Sequence, residues 1–420
     1  MISFDYSASG IPAAALLEQE ERILAVAREL RSKSMAYSDW IDYPLTIPEQ
    51  LMSDIEADGQ AIRKQCSAFV LIGIGGSYLG SRAALSMLQH NFHNELTAAQ
   101  RSNAPKIYYA GHHLSSSYYT ELLEVLADEE LAICVISKSG STMESAAAFS
   151  LFKKQLYQKY GSAAAERIYA ITDAEHGSLR TECRERGYRS YEVPDNIGGR
   201  YSVLSPVGLL PLAAAGIPIR RIIAGAQAEY TALELPSLRA NPAYQYALVR
   251  QLLQQQGKVI EVFESYEVKL QYLMEWLKQL FGESEGKDGQ GIFPASLQFS
   301  SDLHSMGQFL QQGTPCFFET LIHVDRSESD LSVKLPGQEK QSLHALNQIV
   351  EQGVLQAHNR DAIPGLQIAV PEFSPESFGA LVYFFELACA VSCRLLGVNP
   401  FDQPGVEDYK QAVRELMALR

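Results

Sequence analysis

Two glutamates and a lysine lie close together in the segment QLFGESEGKDGQGIFPAS, where an apolar helix is expected to give way to a Gly-rich loop. A carboxylate at such a junction can be held rigidly and partly desolvated, which raises its pKa toward the range that a general base needs. A solvated polar loop explains the same residues without any chemistry. Because spacing alone does not distinguish Glu283 from Glu285, both are candidates for proton transfer.

An arginine, a histidine and a lysine in other segments could assist such chemistry. Arg200 follows two glycines in DNIGGRYSVLS, where a guanidinium could stabilise developing negative charge. The same arginine could instead form a structural pair with Asp195 or another acid. His304, in SSDLHSMGQFLQQGTP, and Lys410, in FDQPGVEDYKQA, have no local feature that separates a catalytic role from a structural or solvated one.

A glycine-rich turn in IGIGGSYLGSRAA is the first candidate for binding an anion. A predicted strand ends there and a helix begins near Ser77, so free backbone N–H groups and a partial positive charge would face a ligand. Gly76 and its neighbours allow the backbone to approach that ligand closely. The alternative is a tight turn in which Ser77 is a plain helix cap. The spacing of Gly73, Gly75 and Tyr78 does not fit GxGxxG, which disfavours a dinucleotide site.

The sequence VISKSGSTMES repeats this pattern of strand, polar loop and helix. Its hydroxyl and ammonium groups belong to Ser137, Lys138, Ser139, Ser141 and Thr142. Hydroxyls, backbone amides and a helix start together suit a phosphate monoester, although a polar loop with a helix cap would look similar. Two such loops on adjacent parallel strands would meet at the carboxyl edge of one sheet, where ligands bind in open α/β folds.

Alternating apolar runs and helical patterns predict the elements that position these residues. Strands are predicted at residues 67–74, 106–110, 131–136, 167–172, 259–263, 316–324 and 366–370. Helical patterns cover residues 13–33, 202–255, 268–281, 342–358, 375–396 and 406–419. This alternation predicts an α/β fold of two doubly wound parallel sheets with flanking N- and C-terminal helices. The last helix is expected to pack on the body of the protein.

Composition excludes several classes of function. The chain has 420 residues and a formal net charge of −14 without a long basic run, which disfavours nucleic acid as a partner. Its six cysteines form no CxxC pair and are expected to be reduced, and no Cys/His spacing indicates a metal site. The apolar stretch 381–396 contains Glu386 and Arg394, which argues against a membrane span. With no evident secretory signal, a cytoplasmic location is expected.

Six motifs together resemble the phosphoglucose isomerase family, in the shorter form common in Gram-positive bacteria. In chain order they are IGIGGSYLG, SKSGSTMES, NIGGRYSVLS, FGESEGKDGQG, DLHSMGQFLQQGT and NPFDQPGVEDYK. The resemblance implies two sugar-isomerase (SIS) domains and a homodimer whose active site lies near the subunit interface. It implies a cofactor-free interconversion of D-glucose 6-phosphate and D-fructose 6-phosphate through a cis-enediolate, in glycolysis and gluconeogenesis.

The resemblance also assigns roles to individual residues. It places the substrate phosphate at Gly76, Ser77, Ser137, Lys138, Ser139 and Thr142. Glu283, rather than Glu285, corresponds to the base, and Arg200 resembles the residue that stabilises the enediolate. His304 and Lys410 correspond to the residues that open the sugar ring. Gln403 matches a glutamine that contacts the substrate.

On this basis four segments are expected along the chain. They are an N-terminal helical segment (1–50), a first SIS domain with the phosphate loops (51–200), a second with the catalytic Glu and His (201–400), and a C-terminal helix with the catalytic Lys (401–420). Tyr78 replaces an aspartate found in many relatives, which leaves substrate breadth open. The alternatives are therefore a dual phosphoglucose/phosphomannose isomerase and a non-catalytic sugar-phosphate sensor.

Overall fold

The computed structural model describes residues 1–327, 329–337 and 339–419. The strands are β1 (Ser3–Asp5), β2 (Ala68–Ile72), β3 (Lys106–Ala110), β4 (Leu131–Ile136), β5 (Ile168–Thr172), β6 (Arg189–Glu192), β7 (Ile260–Ser265), β8 (Phe293–Gln298), β9 (Phe317–Arg326), β10 (Ser332–Lys334), β11 (Lys340–Ser342) and β12 (Gly365–Glu372). The helices are α1 (Ala13–Leu17), α2 (Glu20–Arg31), α3 (Tyr43–Thr46), α4 (Glu49–Gln65), α5 (Leu79–Leu88), α6 (Ser116–Val125), α7 (Met143–Tyr160), α8 (Ser178–Arg186), α9 (Pro206–Ala214), α10 (Ile219–Ala232), α11 (Pro242–Gln255), α12 (Gln271–Glu285), α13 (Gly307–Gln312), α14 (Leu343–Arg360), α15 (Pro375–Leu396) and α16 (Val406–Ala418).

The first sheet has five parallel strands in the order β3-β2-β4-β5-β6. Its central strands β2, β4 and β5 read AFVLI, LAICVI and IYAIT, and every residue in them is buried. Such continuous apolar runs are typical of parallel strands that are covered by helices on both faces. The sheet confirms the first predicted α/β unit, and β6, at its edge, is an additional strand.

The second sheet has five strands in the order β1-β12-β9-β7-β8. Strands β12, β9, β7 and β8 are parallel, whereas β1 pairs antiparallel with β12 and aligns Ser3 with Ala369. The N-terminal segment is therefore not only helical, because it also supplies this edge strand. The second predicted parallel sheet is confirmed with these additions, and the domain boundaries at residues 50, 200 and 400 stay predictions.

Helix α15 forms the centre of the second unit and lies against α10, α11 and α12. It is long and apolar enough to cross a membrane, yet 89% of its most apolar window is buried inside the fold. A helix that is apolar all round belongs either in a membrane or in a protein core. Its burial identifies α15 as a core helix, and its end leads directly into the loop that reaches the candidate site.

Two sequence predictions about helices are wrong in detail. The helix that was expected to end before Glu283 continues to Glu285, so both glutamates lie in its last turn rather than in a loop. The C-terminal helix forms as α16, but none of its residues is buried, and it does not pack on the body as expected. Its exposed apolar side chains include Tyr409 and Leu416, so no described residue of the same chain covers its apolar face.

A buried glutamate in α10 gives a testable pH dependence of stability. Burial raises the pKa of Glu229 from 4.5 to about 7, although the Ile2 amide donates to the carboxylate at 3.2 Å and partly opposes this shift. Between these pH values the unfolded chain releases the proton before the folded protein does, so stability falls as the pH rises. The full loss is on the order of 3 kcal/mol.

Glu229→Gln removes this titration while keeping the size of the side chain. We expect the variant to match the parent near pH 4 and to exceed it increasingly from pH 4.5 to 8, measured as the free energy of unfolding in urea. Glu234→Gln, at an exposed position just beyond α10, is the matched control and should show no such trend. A difference between Glu229→Gln and the parent that does not change with pH would contradict the prediction.

Candidate active site

The serine-rich loop after β4 and the glycine turn after β2 line one cavity. The cavity has a volume of about 540 Å³, and its wall includes Ser77, Ser137, Lys138, Ser139 and Thr142. Strands β2 and β4 are parallel neighbours, so their carboxyl ends bring the two loops together. The structure therefore gathers five of the six predicted phosphate-binding residues around one space.

The start of α7 is open to an anion. Thr142 occupies the N-cap position, but its side chain makes no capping hydrogen bond. Within the loop, Ser137 Oγ accepts from the Gly140 amide at 3.1 Å, which fixes the turn. Free amides at a helix N-terminus and a nearby ammonium favour a phosphate. Lys138 is 43% exposed in its side chain, with Asp195 Oδ1 at 3.8 Å, so a ligand could compete for it.

The glycine turn touches the two elements that carry the acid–base candidates. A Cβ atom on Gly76 would lie 2.2 Å from the carbonyl oxygen of Gly199, next to Arg200 in the chain. Gly75 has φ +57, and a Cβ there would lie 2.7 Å from Nε2 of Gln279 in α12. Gly76 is required because a side chain there would collide with the backbone of Gly199, and Gly75 is required because its positive φ is strained for other residues.

Glu283, Arg200 and Gln403 form one cluster beside this turn. Arg200 Nη1 lies 3.5 Å from Glu283 Oε2, and Gln403 Nε2 donates a hydrogen bond to the same oxygen. The Arg200 side chain is 5% exposed and that of Glu283 is 38% exposed. The carboxylate is therefore open to solvent, while the guanidinium behind it is buried. In such a pair the carboxylate can exchange a proton with a substrate, and the guanidinium can stabilise the negative charge that then develops on it.

The guanidinium of Arg200 is held on several sides. Its Nε donates to Ser284 Oγ at 2.8 Å, and its Nη2 donates to the Pro400 carbonyl at 2.8 Å. Tyr201, the next residue, is buried in ring contact with Trp40 at 4.9 Å, and burial keeps the pKa of this phenol well above its usual range. These contacts leave Nη1 directed at the carboxylate. The alternative pairing of Arg200 with Asp195 does not occur.

The structure separates the two glutamates that spacing could not distinguish. Glu285 is fully buried and forms an ion pair with Arg250, which also binds Glu261 at 2.7 Å. It also accepts the Ile292 amide at 3.3 Å, so both of its oxygens are engaged inside the core. Glu285 therefore holds the end of α12 in place, while Glu283 alone presents its carboxylate to the cleft.

Gln279 is a candidate site residue that the sequence analysis missed. It lies one turn before Glu283 on α12, and its side chain reaches the glycine turn. Its Oε1 is buried without a hydrogen-bond partner, which is costly unless a ligand or water satisfies it. The i, i+4 spacing of Gln279 and Glu283 would have placed both on one helix face if the helix had been extended far enough.

His304 and Lys410 lie on elements other than those that carry this cluster. His304 is exposed at the end of a one-turn helix, Ser301–His304, and Lys410 is exposed on α16, where it pairs with Glu407 at 2.9 Å. In the described part of the chain, neither side chain has a hydrogen bond or ion pair to Glu283 or Arg200. Their roles in ring opening stay predictions.

The topology explains why His304 is distant within one chain. Helix α12 connects the parallel strands β7 and β8. Its last turn, with Glu283, therefore lies near the N-terminal ends of these strands, where β8 begins. His304 follows the other end of β8. A strand of this length spans roughly 20 Å, so Glu283 and His304 lie near opposite ends of the strands of the second sheet.

The family profile for phosphoglucose isomerase matches residues 48–325 of this chain. A glucose-6-phosphate isomerase from Acetivibrio thermocellus is 45% identical over 434 aligned positions, which cover 99% of this chain and 96% of the relative. Similarity at this level over nearly the full length of both chains extends through all the segments that form the cleft.

Solved structures show the same architecture. A hypothetical protein from Thermus thermophilus has a TM-score of 0.89 and 26% identity, and the alignment covers 100% of both chains. A glucose-6-phosphate isomerase from Chlamydia trachomatis has a TM-score of 0.85 and 20% identity, covering 100% of this chain and 88% of that one. The latter similarity shows a shared fold.

Proposed function

The chain belongs to the phosphoglucose isomerase family, and we infer that it interconverts D-glucose 6-phosphate and D-fructose 6-phosphate by moving one proton between C2 and C1. The observation that carries this proposal is the contact between two parts of the cleft. The turn that leads into Ser77 lies against both the Arg200 segment and the helix that carries Glu283. The turn that begins the phosphate-binding region is thus in direct contact with the elements that carry the acid–base pair.

The phosphate group would bind in the serine-loop cavity. Hydroxyls of Ser77, Ser137, Ser139 and Thr142 and the free amides of α7 can donate to its oxygens, and Lys138 supplies positive charge. Because this group does not react, its binding energy can orient the sugar carbons beside Glu283. Gln279 and Gln403 flank Glu283 and can donate to sugar hydroxyls.

Ring opening requires groups that one chain does not bring to the cleft. His304 and Lys410 would transfer a proton from the C1 hydroxyl and deliver one to the ring O5 as the C1–O5 bond breaks. We propose a homodimer, in which a second copy of the chain would bring its His304 to the site. This proposal agrees with the position of His304, which follows the C-terminal end of β8, whereas Glu283 lies near its N-terminal end. Lys410 lies on the exposed helix α16, which begins at Val406, shortly after Gln403.

Glu283 would then remove the C2 proton of the open-chain aldose. The electron pair moves into a C1–C2 double bond, and the negative charge that develops on O1 is stabilised by Arg200. After a proton moves from O2 to O1, Glu283 returns its proton to C1 and a ketone forms at C2. One carboxylate can serve both carbons because they lie on the same face of a cis-enediolate.

The activity is tested by incubating the protein with glucose 6-phosphate in D2O. We expect fructose 6-phosphate to form, part of it with solvent deuterium at C1, because the carboxylate exchanges its proton during the transfer. A non-catalytic sugar-phosphate sensor would bind the sugar without turnover or exchange, and that result would refute the proposal. Mannose 6-phosphate in the same assay decides whether the enzyme is a dual phosphoglucose/phosphomannose isomerase.

We also propose that the protein works in the cytoplasm. All six cysteines are unbonded, and five of them are buried. Structural thiols that stay reduced are typical of a reducing compartment. Fractionation of the source cells, with the isomerase activity as the readout, tests this location, and recovery outside the cytoplasm would contradict it.

Replacing Arg200 by lysine should lower kcat by about 10- to 100-fold, because an ammonium cannot match a planar guanidinium with several fixed donors. Lysine cannot reach Ser284, the Pro400 carbonyl and the developing enediolate at the same time. Steady-state kinetics at saturating glucose 6-phosphate measure the effect. Arg101→Lys, at another buried arginine outside the cluster, is the control and should keep the parental kcat. An unchanged kcat in Arg200→Lys would remove Arg200 from the mechanism.

A further inference from the structure

An arginine outside the cleft joins the phosphate-binding turn to the helix of the base. Arg82, in α5, donates one guanidinium N–H to the hydroxyl of Tyr78 and another to the hydroxyl of Tyr272. Tyr78 directly follows Ser77 in the chain, and Tyr272 lies in the first turn of α12. The Arg82 side chain therefore connects the turn that carries Ser77 with the helix that carries Glu283.

Aromatic rings surround the guanidinium. Its central carbon lies 3.7 Å from the ring centroid of Tyr272, 4.5 Å from that of Tyr109 and 5.3 Å from that of Tyr78. A cation over several ring faces is attracted by each of them, and the effect grows as water is excluded. Arg82 is thus held at once by rings from the end of the glycine turn, from β3 and from α12.

Tyr78 is itself fixed by a second aromatic contact. It is 6% exposed, and its ring stacks on His112 with centroids 4.9 Å apart and an interplanar angle of 7°. Burial, together with the nearby His113 and Arg82, lowers the pKa of His112 to about 4, so this ring is neutral at physiological pH. A neutral ring can stack there without repelling the guanidinium. The turn with Ser77 is therefore anchored through Tyr78.

Helix α12 transmits the position of Tyr272 to the cleft. Glu283 lies eleven residues after Tyr272 on the same helix. An α-helix rises about 1.5 Å per residue and is stiff over this length of roughly 16 Å. A shift of the Tyr272 end relative to the glycine turn would therefore move Gln279 and Glu283 relative to the phosphate.

We propose that Arg82 is a positioning residue that sets the spacing between the phosphate-binding turn and the catalytic carboxylate. The proposal rests on the proposed isomerase function. A misplacement of about 1 Å can cost on the order of 100-fold in rate. Since Arg82 does not line the serine-loop cavity, its loss should slow proton transfer while leaving the affinity of the cavity for a free phosphate unchanged.

Arg82→Met tests this proposal, because methionine keeps an unbranched apolar stem but removes the charge and both hydrogen bonds. We expect kcat to fall about 10- to 100-fold. The primary isotope effect on kcat with D-[2-²H]glucose 6-phosphate should increase, because proton transfer becomes more rate-limiting. The Ki of inorganic phosphate as a competitive inhibitor should stay within about threefold of the parental value. Tyr272→Phe should shift the isotope effect in the same direction by less, and Arg82→Lys should lie between Arg82→Met and the parent.

Arg167→Met is the matched control. Arg167 also stacks on a tyrosine, with its guanidinium carbon 4.0 Å from the ring centroid of Tyr160. Its other partners are the carbonyls of Gln65 and Leu131 and the carboxylate of Glu130, none of which belongs to the proposed site. It should retain the parental isotope effect. If Arg82→Met shows the parental isotope effect, Arg82 is merely structural and the proposal is overturned, because partial unfolding lowers the amount of active enzyme without changing an isotope effect.

Two further outcomes are decisive. A rise in the Ki of phosphate without a larger isotope effect would show that Arg82 shapes the phosphate cavity itself, and the proposal would fail. If Arg82→Met does not fold, the isotope effect of Tyr272→Phe decides in the same way. A parent enzyme without isomerase activity would refute the proposed function instead, so the two failures are distinguishable.

Discussion

Replacing Glu283 by glutamine is expected to lower kcat by at least about 10²–10⁴-fold, the usual contribution of a general base. Glutamine retains one oxygen that can accept from Gln403 and lie near Arg200, so the shape of the cluster survives. It has no oxygen that can hold the C2 proton. The KM for glucose 6-phosphate should change by no more than a few-fold, because the phosphate contacts are untouched.

Steady-state kinetics in both directions measure this loss. Glu275→Gln is the matched control, since it makes the same change on the same helix at a partly exposed position, and it should keep the parental kcat. Near-normal turnover in Glu283→Gln, combined with loss of turnover in a folded Glu285→Gln variant, would transfer the role of base to Glu285.

The central strands and the phosphate loops could be predicted from the sequence because local patterns determine them. The strands β2, β4 and β5 are continuous apolar runs, and their carboxyl ends carry the glycine turn and the serine loop. Edge strands are harder to predict from the sequence. Strand β8 reads FPASLQ, and a proline with partly exposed neighbours is tolerated only because β8 lies at the edge of its sheet.

The distinction between Glu283 and Glu285 could not be made from local sequence. Two residues apart on an α-helix, their side chains point about 200° apart, so one faces the cleft while the other faces the core. That argument requires knowing that α12 continues through both residues, whereas the Gly-rich composition suggested a loop. The helix persists because Arg250 binds Glu285 and fixes its last turn from inside the core.

The positions of His304 and α16 could not be predicted from local sequence patterns. His304 lies beyond the far end of β8, and α16 has no buried residue. An amphipathic helix normally hides its apolar face, and nothing within the described residues of one chain covers this one. The resemblance assigns roles to His304 and Lys410, but motif order carries no information about where the fold places their side chains.

The second large effect concerns stability and arises from the buried network that holds α12. Arg250 is fully buried and donates to Glu261 at 2.7 Å and to Ser392 Oγ at 2.7 Å, as well as to Glu285. Glu261 also accepts from Thr320 at 2.7 Å. One arginine thus compensates two carboxylates that have no access to water.

Arg250→Met should therefore lower the free energy of unfolding by about 3–5 kcal/mol, the usual cost of leaving a buried charge without its partner. The loss should be smaller at pH 5.5 than at pH 8, because the stranded carboxylates can take up protons at the lower pH. Adding Glu261→Gln and Glu285→Gln to Arg250→Met should recover much of the loss, since no buried charge then remains. Urea unfolding of the parent and of both variants at the two pH values measures these differences.

Arg221→Met is the control for losing an arginine–carboxylate pair as such. Arg221 binds Glu376 through two hydrogen bonds of 2.6 and 2.9 Å, but both side chains are largely exposed. An exposed pair contributes at most about 1 kcal/mol, because water and salt screen it. If Arg221→Met and Arg250→Met cost the same, or if the loss in Arg250→Met is independent of pH, then uncompensated buried charge is not what destabilises the variant. In that case Arg250 would stabilise the last turn of α12 through packing alone.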